Sequence, residues 1–218
     1  MPTPMSRVLP ALDRFHAAHP WDHNAHDHRW LLRRLPEHFG RALDVGSGSG
    51  DPARCLAARA TSVEGIDADP AMVACTRSLT APALPVEFTV RDVAAGLPQG
   101  PFDVITCVAA LHHLPFSETL TRFRDRLTPG GTLVVVGVAR ARTLGDHALG
   151  AAAIPMDVVM ALLRNGGRGA TRPASMTAPT LPPAMSFAEI VRRAQEGLPG
   201  ARLRRRLFWR YTLLRRQA

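Results

Sequence analysis

The chain has 218 residues, 46% of them apolar and 21% charged, the make-up of one globular α/β domain and not of a disordered or disulfide-stapled chain. Its net charge is +9, but it holds no lysine, and all 27 of its lysine-or-arginine positions are arginine. That bias reads as the coding composition of a GC-rich genome, so the charge marks a solvated arginine surface in preference to a nucleic-acid site.

The start, MPTPMSRVLPALDRF, has neither the apolar run of a membrane span nor a signal h-region, and a cytoplasmic location is expected. Cys55, Cys75 and Cys107 stand in apolar contexts without a C-x-x-C, as free thiols of a reducing compartment do. Residues 6–18 and 24–35 are predicted helices, with Asn24 and Asp27 spaced as a capping box. Six of the nine histidines fall before residue 39. A strand begins at Arg41 and runs into RALDVGSGSG. Asp51 is the expected N-cap of a helix over Pro52–Ala60, with Pro52 in its first turn.

The strand and helix signals then alternate. Strands are predicted at Ser62–Asp67, Val86–Arg91, Phe102–Val108 and Thr132–Val138. Helices are predicted at Pro70–Leu79 and at Ser117–Leu127, the latter capped by Ser117, and Thr128–Gly131 is a turn. This rhythm specifies a Rossmann-like, doubly wound, mostly parallel sheet. Residues 140–185 break it: Asp146–Arg164 has helical apolar spacing, and Asn165–Pro183 is a Gly, Pro, Thr and Ala-rich loop. A helix at Ser186–Glu196 follows, and strands at Arg202–Leu207 and Arg210–Leu214 make a C-terminal antiparallel hairpin. The expected organisation is a helical cap over residues 1–40 and a main domain over residues 41–218 with a lid-like insertion at about 140–185.

The stretch from Arg41 to Gly50 carries the chemistry. A short apolar run ends in Asp44, and glycine recurs at 46, 48 and 50 before a helix opens. Strand, glycine loop and helix N-terminus together form a nucleotide-binding turn. The dinucleotide fingerprint needs a third glycine at position 51, where Asp51 stands. An acid beside the loop also repels a pyrophosphate and suits a cation.

With LDVGSGSG, GIDADPAM, RDVAAGLP, FDVITCVAALHHL and LTPGGTLVVV in that order, the chain resembles the class I S-adenosylmethionine (SAM)-dependent methyltransferases. It is most similar to their small-molecule type 11 group, which includes enzymes of ubiquinone and menaquinone biosynthesis and of natural-product pathways. The resemblance implies the seven-stranded fold, SAM as methyl donor and S-adenosylhomocysteine as product. It places Asp44, Gly46, Ser47, Gly48 and Gly50 around the amino-acid part of the cofactor and Asp67 on the ribose hydroxyls, beside Ala68. Met72, Asp92 and Val93 fall around the adenine, and Ala109 lies against the cofactor by its backbone.

Methyl transfer to a phenol, enol or indole requires loss of a proton, and a histidine base is expected for it. His112 stands first, just past the fourth strand, with His113 beside it and His23 on the capping helix as alternatives. Trp21, His26, His28 and Met156 are expected around a planar acceptor. His23, His26 and Asp27 share a helical face, but their spacing matches no familiar metal site, so none is assigned. A small-molecule acceptor and a monomer or homodimer are expected, with no membrane span. A nucleic-acid substrate, RNA included, is the rival. Against it, AALHHL stands where enzymes that methylate exocyclic base amines carry Asn/Asp/Ser-Pro-Pro-aromatic. A SAM-fold subunit without activity and an NAD-dependent oxidoreductase are further rivals, opposed by the intact glycines and Asp67 and by Asp51.

Overall fold

The computed structural model describes residues 18–19, 23–164 and 181–217. Five strands run parallel: β1 (Phe39–Val45), β2 (Ala60–Asp67), β3 (Val86–Val90), β4 (Phe102–Val108) and β5 (Leu127–Val138). β6 (Arg202–Arg205) and β7 (Arg210–Arg216) add an antiparallel hairpin against β5. The order β3-β2-β1-β4-β5-β7-β6 is the doubly wound, seven-stranded sheet predicted from the alternation of elements. The order reverses between β1 and β4, and ligands bind outside the carboxyl ends of strands at such a switch point.

Six helices are described: α1 (His23–Leu32), α2 (Asp51–Ala57), α3 (Pro70–Ser78), α4 (Phe116–Asp125), α5 (Leu144–Arg164) and α6 (Phe187–Gly197). Alternation along the strands sends each half of the side chains to its own helical layer. Leu43, Ile105 and Leu133 face Phe116, Leu120 and Phe123 of α4 and Ile190 and Ala194 of α6. Val63, Val104 and Val134 face Leu31 of α1, Ala53 and Leu56 of α2 and Val73 of α3. These residues are all buried to within a few per cent.

Several boundaries differ from the expectation, each for a local reason. The N-cap of α2 is Gly50, at φ 79°, and not Asp51, which is the first helical residue and binds Arg54 at 2.6 Å. The helix stops at Ala57 because β2 has already begun at Ala60. α4 starts at Phe116, so Ser117 lies inside it. α1 starts at His23, so Asn24 is inside the helix; Asp27 is no capping partner but a buried carboxylate facing Arg210. The expected turn Thr128–Gly131 is absorbed into β5 as an irregularity, with the register stepping from Phe102↔Leu127 to Val104↔Thr132. Gly130 and Gly131 exchange backbone hydrogen bonds with Gln217, which keeps the segment extended.

α5 begins two residues before the expected start. Asp146 accepts from the backbone N–H of Arg142 and Thr143, both at 2.9 Å, while Thr143 Oγ1 accepts from Asp146 N–H. This reciprocal cap holds the Asp146 carboxyl well down, at about 2. Among the described residues, α5 is the one helix long and apolar enough to cross a membrane, by length and composition. The predicted helix over 6–18 lies almost wholly outside the described residues, and so does most of the predicted loop over 165–183.

Candidate active site

β1 ends at Val45, and Gly46, Gly48 and Gly50 all take positive φ, at 68°, 50° and 79°. A side chain is excluded at Gly46, whose added Cβ would lie 2.2 Å from Ala110 Cβ. That contact joins the loop after β1 to the loop after β4 across the switch point. Gly48 differs: its added Cβ would meet nothing within 4 Å, so the chain there is an open cradle. The cradle is held from both sides. Gly48 N–H donates to Asp67 Oδ2 at 2.9 Å, and Thr76 Oγ1 of α3 donates to the Gly48 carbonyl.

Asp44 lies under this loop, 1% exposed. Its Oδ1 accepts from Thr106 Oγ1 of β4 at 2.7 Å, and its Oδ2 is buried without a hydrogen-bond partner. Burial, offset in part by Thr106 and by the backbone N–H of Ala53, which stands near the carboxylate without a well-formed hydrogen bond to it, pushes its pKa up to about 7. Ser47 Oγ is also sealed without a partner. An orphaned carboxylate oxygen beneath an open glycine cradle fits a cationic ligand such as the amino-acid end of SAM.

Asp67 closes β2, and its second oxygen accepts from Asp69 N–H at 3.0 Å. The carboxylate expected on the ribose thus also fixes the glycine loop and the start of α3. Asp69, not Asp67, caps α3 through Ala71 N–H. Asp92 lies beside Asp67, since Arg91 N–H donates to the Asp67 carbonyl at 2.8 Å. Its own carboxylate accepts from Ala94 N–H and caps the short 3-10 turn Val93–Ala95. Val93 and Met72 are buried, and Ala68 is exposed. Ala109 has φ 54°, costly for a residue with a Cβ, and its N–H donates to Val136. The strain turns the chain sharply off β4 and puts Ala110 against Gly46.

One step further comes the 3-10 turn Leu111–His113, which holds the histidines expected on the acceptor side. His112 is half-buried, with its ring 3.9 Å from that of exposed His113. Its Nδ1 is sealed without a well-formed hydrogen bond. Burial, reinforced by His113 and Arg210, lowers its pKa to about 4, though the backbone near Leu181 pulls the other way. The imidazole is therefore neutral through the whole physiological range, which moves its titration below the window expected of an ordinary histidine.

Part of this rim was not read from the sequence. Arg210, at the start of β7 and 8% exposed, reaches Asp27 of α1 at 3.5 Å. Arg206 stacks over Trp30 of α1 at 4.9 Å. The C-terminal hairpin thus grips the capping helix above His112. The sequence signal here was the RLRRRLFWR run at 202–210, which favoured the nucleic-acid rival. Of the expected acceptor residues, His28 is buried on α1 and Met156 is exposed on α5. His23 and His26 belong to α1, but their side chains, like Trp21, lie outside the described residues.

Comparison with known proteins agrees with this geometry. Residues 42–131 match the family model described as a methyltransferase domain. An uncharacterized methyltransferase of Mycobacterium tuberculosis is 37% identical over 119 residues, 54% of this chain and 60% of that protein. A ubiquinone biosynthesis O-methyltransferase of Chromobacterium violaceum is 38% identical over 97 residues, 42% of this chain and 41% of that one. The matched region thus spans between about two fifths and three fifths of these relatives. Among solved structures, a complex of DhpI with S-adenosylhomocysteine superimposes with a TM-score of 0.59 over 99% of each chain at 20% identity, a likeness of fold. Residues 42–131 thus carry a methyltransferase domain, on a fold shared with solved SAM-dependent methyltransferases such as that of Aquifex aeolicus, with a TM-score of 0.57 at 15% identity. The domain's cofactor is SAM.

Proposed function

We propose that this protein transfers the methyl group of SAM to a small planar acceptor at carbon, oxygen or nitrogen and releases S-adenosylhomocysteine. The observation that carries the reading is the switch point itself: an open glycine cradle over the orphaned oxygen of Asp44, with half-buried His112 on the same strand edge. SAM supplies an electrophilic methyl on a sulfonium, and attack is in line. Asp44 and the Gly46–Gly50 loop hold the cationic end, and Asp67 and Asp92 stand where ribose and adenine would lie. Orientation and exclusion of water can contribute up to about 7–11 kcal/mol to such a displacement.

Neutral His112 accepts a hydrogen bond from the acceptor's O–H or N–H and aligns its lone pair. With a pKa near 4 it is a weak base, so it orients the acceptor and takes the proton only as the new bond forms. The name of the Chromobacterium relative, a ubiquinone biosynthesis O-methyltransferase, supports an aromatic acceptor. The test is a screen of purified protein with SAM against phenols, quinols, indoles, amines and RNA, reading S-adenosylhomocysteine release. Turnover with a phenol, quinol or indole is expected. Turnover with RNA alone overturns the acceptor class.

A further inference from the structure

We propose that α5 and the tip of the β6–β7 hairpin form a docking surface for an anionic lipid bilayer. The surface is separate from the cofactor site and does not depend on which acceptor is methylated.

α5 is packed the wrong way round for a core helix. Its inward stripe is Asp146, Gly150, Ala153, Asp157 and Ala161, residues at i, i+4, i+7, i+11 and i+15. Large apolar side chains point out instead: Leu144 is 90% exposed, Leu163 72% and Val159 47%. Among the described residues, every exposed large apolar side chain except Leu79 and Val90 lies on α5, on the hairpin tip or at Leu181. A contiguous apolar surface of this kind marks a contact with a partner or a membrane.

The hairpin tip supplies the second observation. Phe208 and Trp209 occupy the centre of the turn with φ 60° and 57°, closed by Arg210 N–H to Leu207 O. Two large side chains in the left-handed region are an expensive way to build a turn that Asn-Gly makes freely. The strain sets Phe208 into the small-residue face of α5 and holds Trp209 half out beside it. The Trp209 indole occupies the space where a side chain at Gly150 would go. A tryptophan at the margin of an apolar patch is placed as interfacial tryptophans are.

Charge selects the occupant. The edge strand β6 next to the tip exposes Arg202, Arg204 and Arg205, and Arg205 is tied to the start of α5 through Asp146 at 2.5 Å. An apolar face bordered by arginines on a chain of net charge +9 complements anionic headgroups over a neutral interior. A second copy of the chain would bring its own arginines against these. The helix lies flat and does not cross, because its inward stripe, with both acids, is already packed on the protein.

Flotation of the full chain with phosphatidylcholine vesicles, with and without phosphatidylglycerol, tests the proposal. Wild type is expected to float with the anionic vesicles and to be released as salt rises. Val159→Asp/Leu163→Asp, at exposed positions one turn apart, should lower the bound fraction at least tenfold with unchanged circular dichroism and SAM affinity. Arg202→Gln/Arg204→Gln should remove most of the salt dependence. No flotation, or equal flotation of the Asp variant, overturns the proposal. So does a wild-type dimer that the Asp variant converts to monomer without any vesicle binding, which would assign the face to a second copy.

Discussion

Gly48 and Gly46 separate what the glycine loop does for the fold from what it does for the cofactor. At Gly48 the backbone has φ 50°, and an added Cβ meets no atom within 4 Å. Gly48→Ala therefore costs only the left-handed conformation, roughly 1–2 kcal/mol. For a chain of this size that lowers Tm by a few degrees, at about 2–4 °C per kcal/mol. The new methyl stands in the open cradle, so SAM affinity should fall at least tenfold, about 1.4 kcal/mol or more. At Gly46 the same change drives the Cβ to 2.2 Å from Ala110 Cβ. Neither atom is at the end of a flexible side chain, so the loops after β1 and β4 must part. Overpacking of about 1–3 kcal/mol then adds to the conformational cost. Calorimetry of both variants, with SAM titration of the folded one, reads the difference. Gly48→Ala with wild-type SAM affinity would refute the placement of the cofactor over the cradle.

Asp67→Ala removes the acceptor of both Gly48 and Asp69 N–H. SAM affinity should drop on the order of 10²-fold by titration, with a lower Tm, because hydrogen bonds to a charged group are worth about 1.5–3 kcal/mol. Asp44 gives a pH signature. Its unfolded-state pKa is near 3.8, whereas burial holds its proton in the fold until about pH 7. The native state binds the extra proton between those values, so stability of the free protein falls as pH rises from about 4 to about 7. The ionised form suits the SAM cation, so affinity should be roughly tenfold weaker at pH 6 than at pH 8, and Asp44→Asn should flatten that profile. His112, at about 4, stays neutral above about pH 5. His112→Ala should lower turnover on the order of 10²-fold at every pH from 6 to 8, with SAM affinity unchanged. A wild-type turnover curve rising through pH 6.5 and lost in His112→Ala would instead require an unburied imidazole.

The sheet was legible because its central strands β4 and β5 are buried along most of their length and read as apolar runs. FDVITCV needs no context to be a strand. The glycine loop was legible because three glycines two apart have few other uses. What the sequence hid was pairing at a distance. Nothing in β1 says that Thr106 of β4 takes one oxygen of Asp44 and leaves the other orphaned. Asp27, spaced to cap its own helix, lies opposite Arg210, 183 residues away. α5 misled in another way. Its helical apolar spacing was plain, but packing chose the small residues for the inside and left the large ones out, an inversion that periodicity alone does not reveal.

The most direct test of the central claim is isothermal titration of the full-length chain at pH 8 with SAM and, in parallel, with NAD. The account predicts saturable binding of one SAM per chain, competed by S-adenosylhomocysteine, and no heat from NAD. Saturable NAD binding without SAM binding would contradict it.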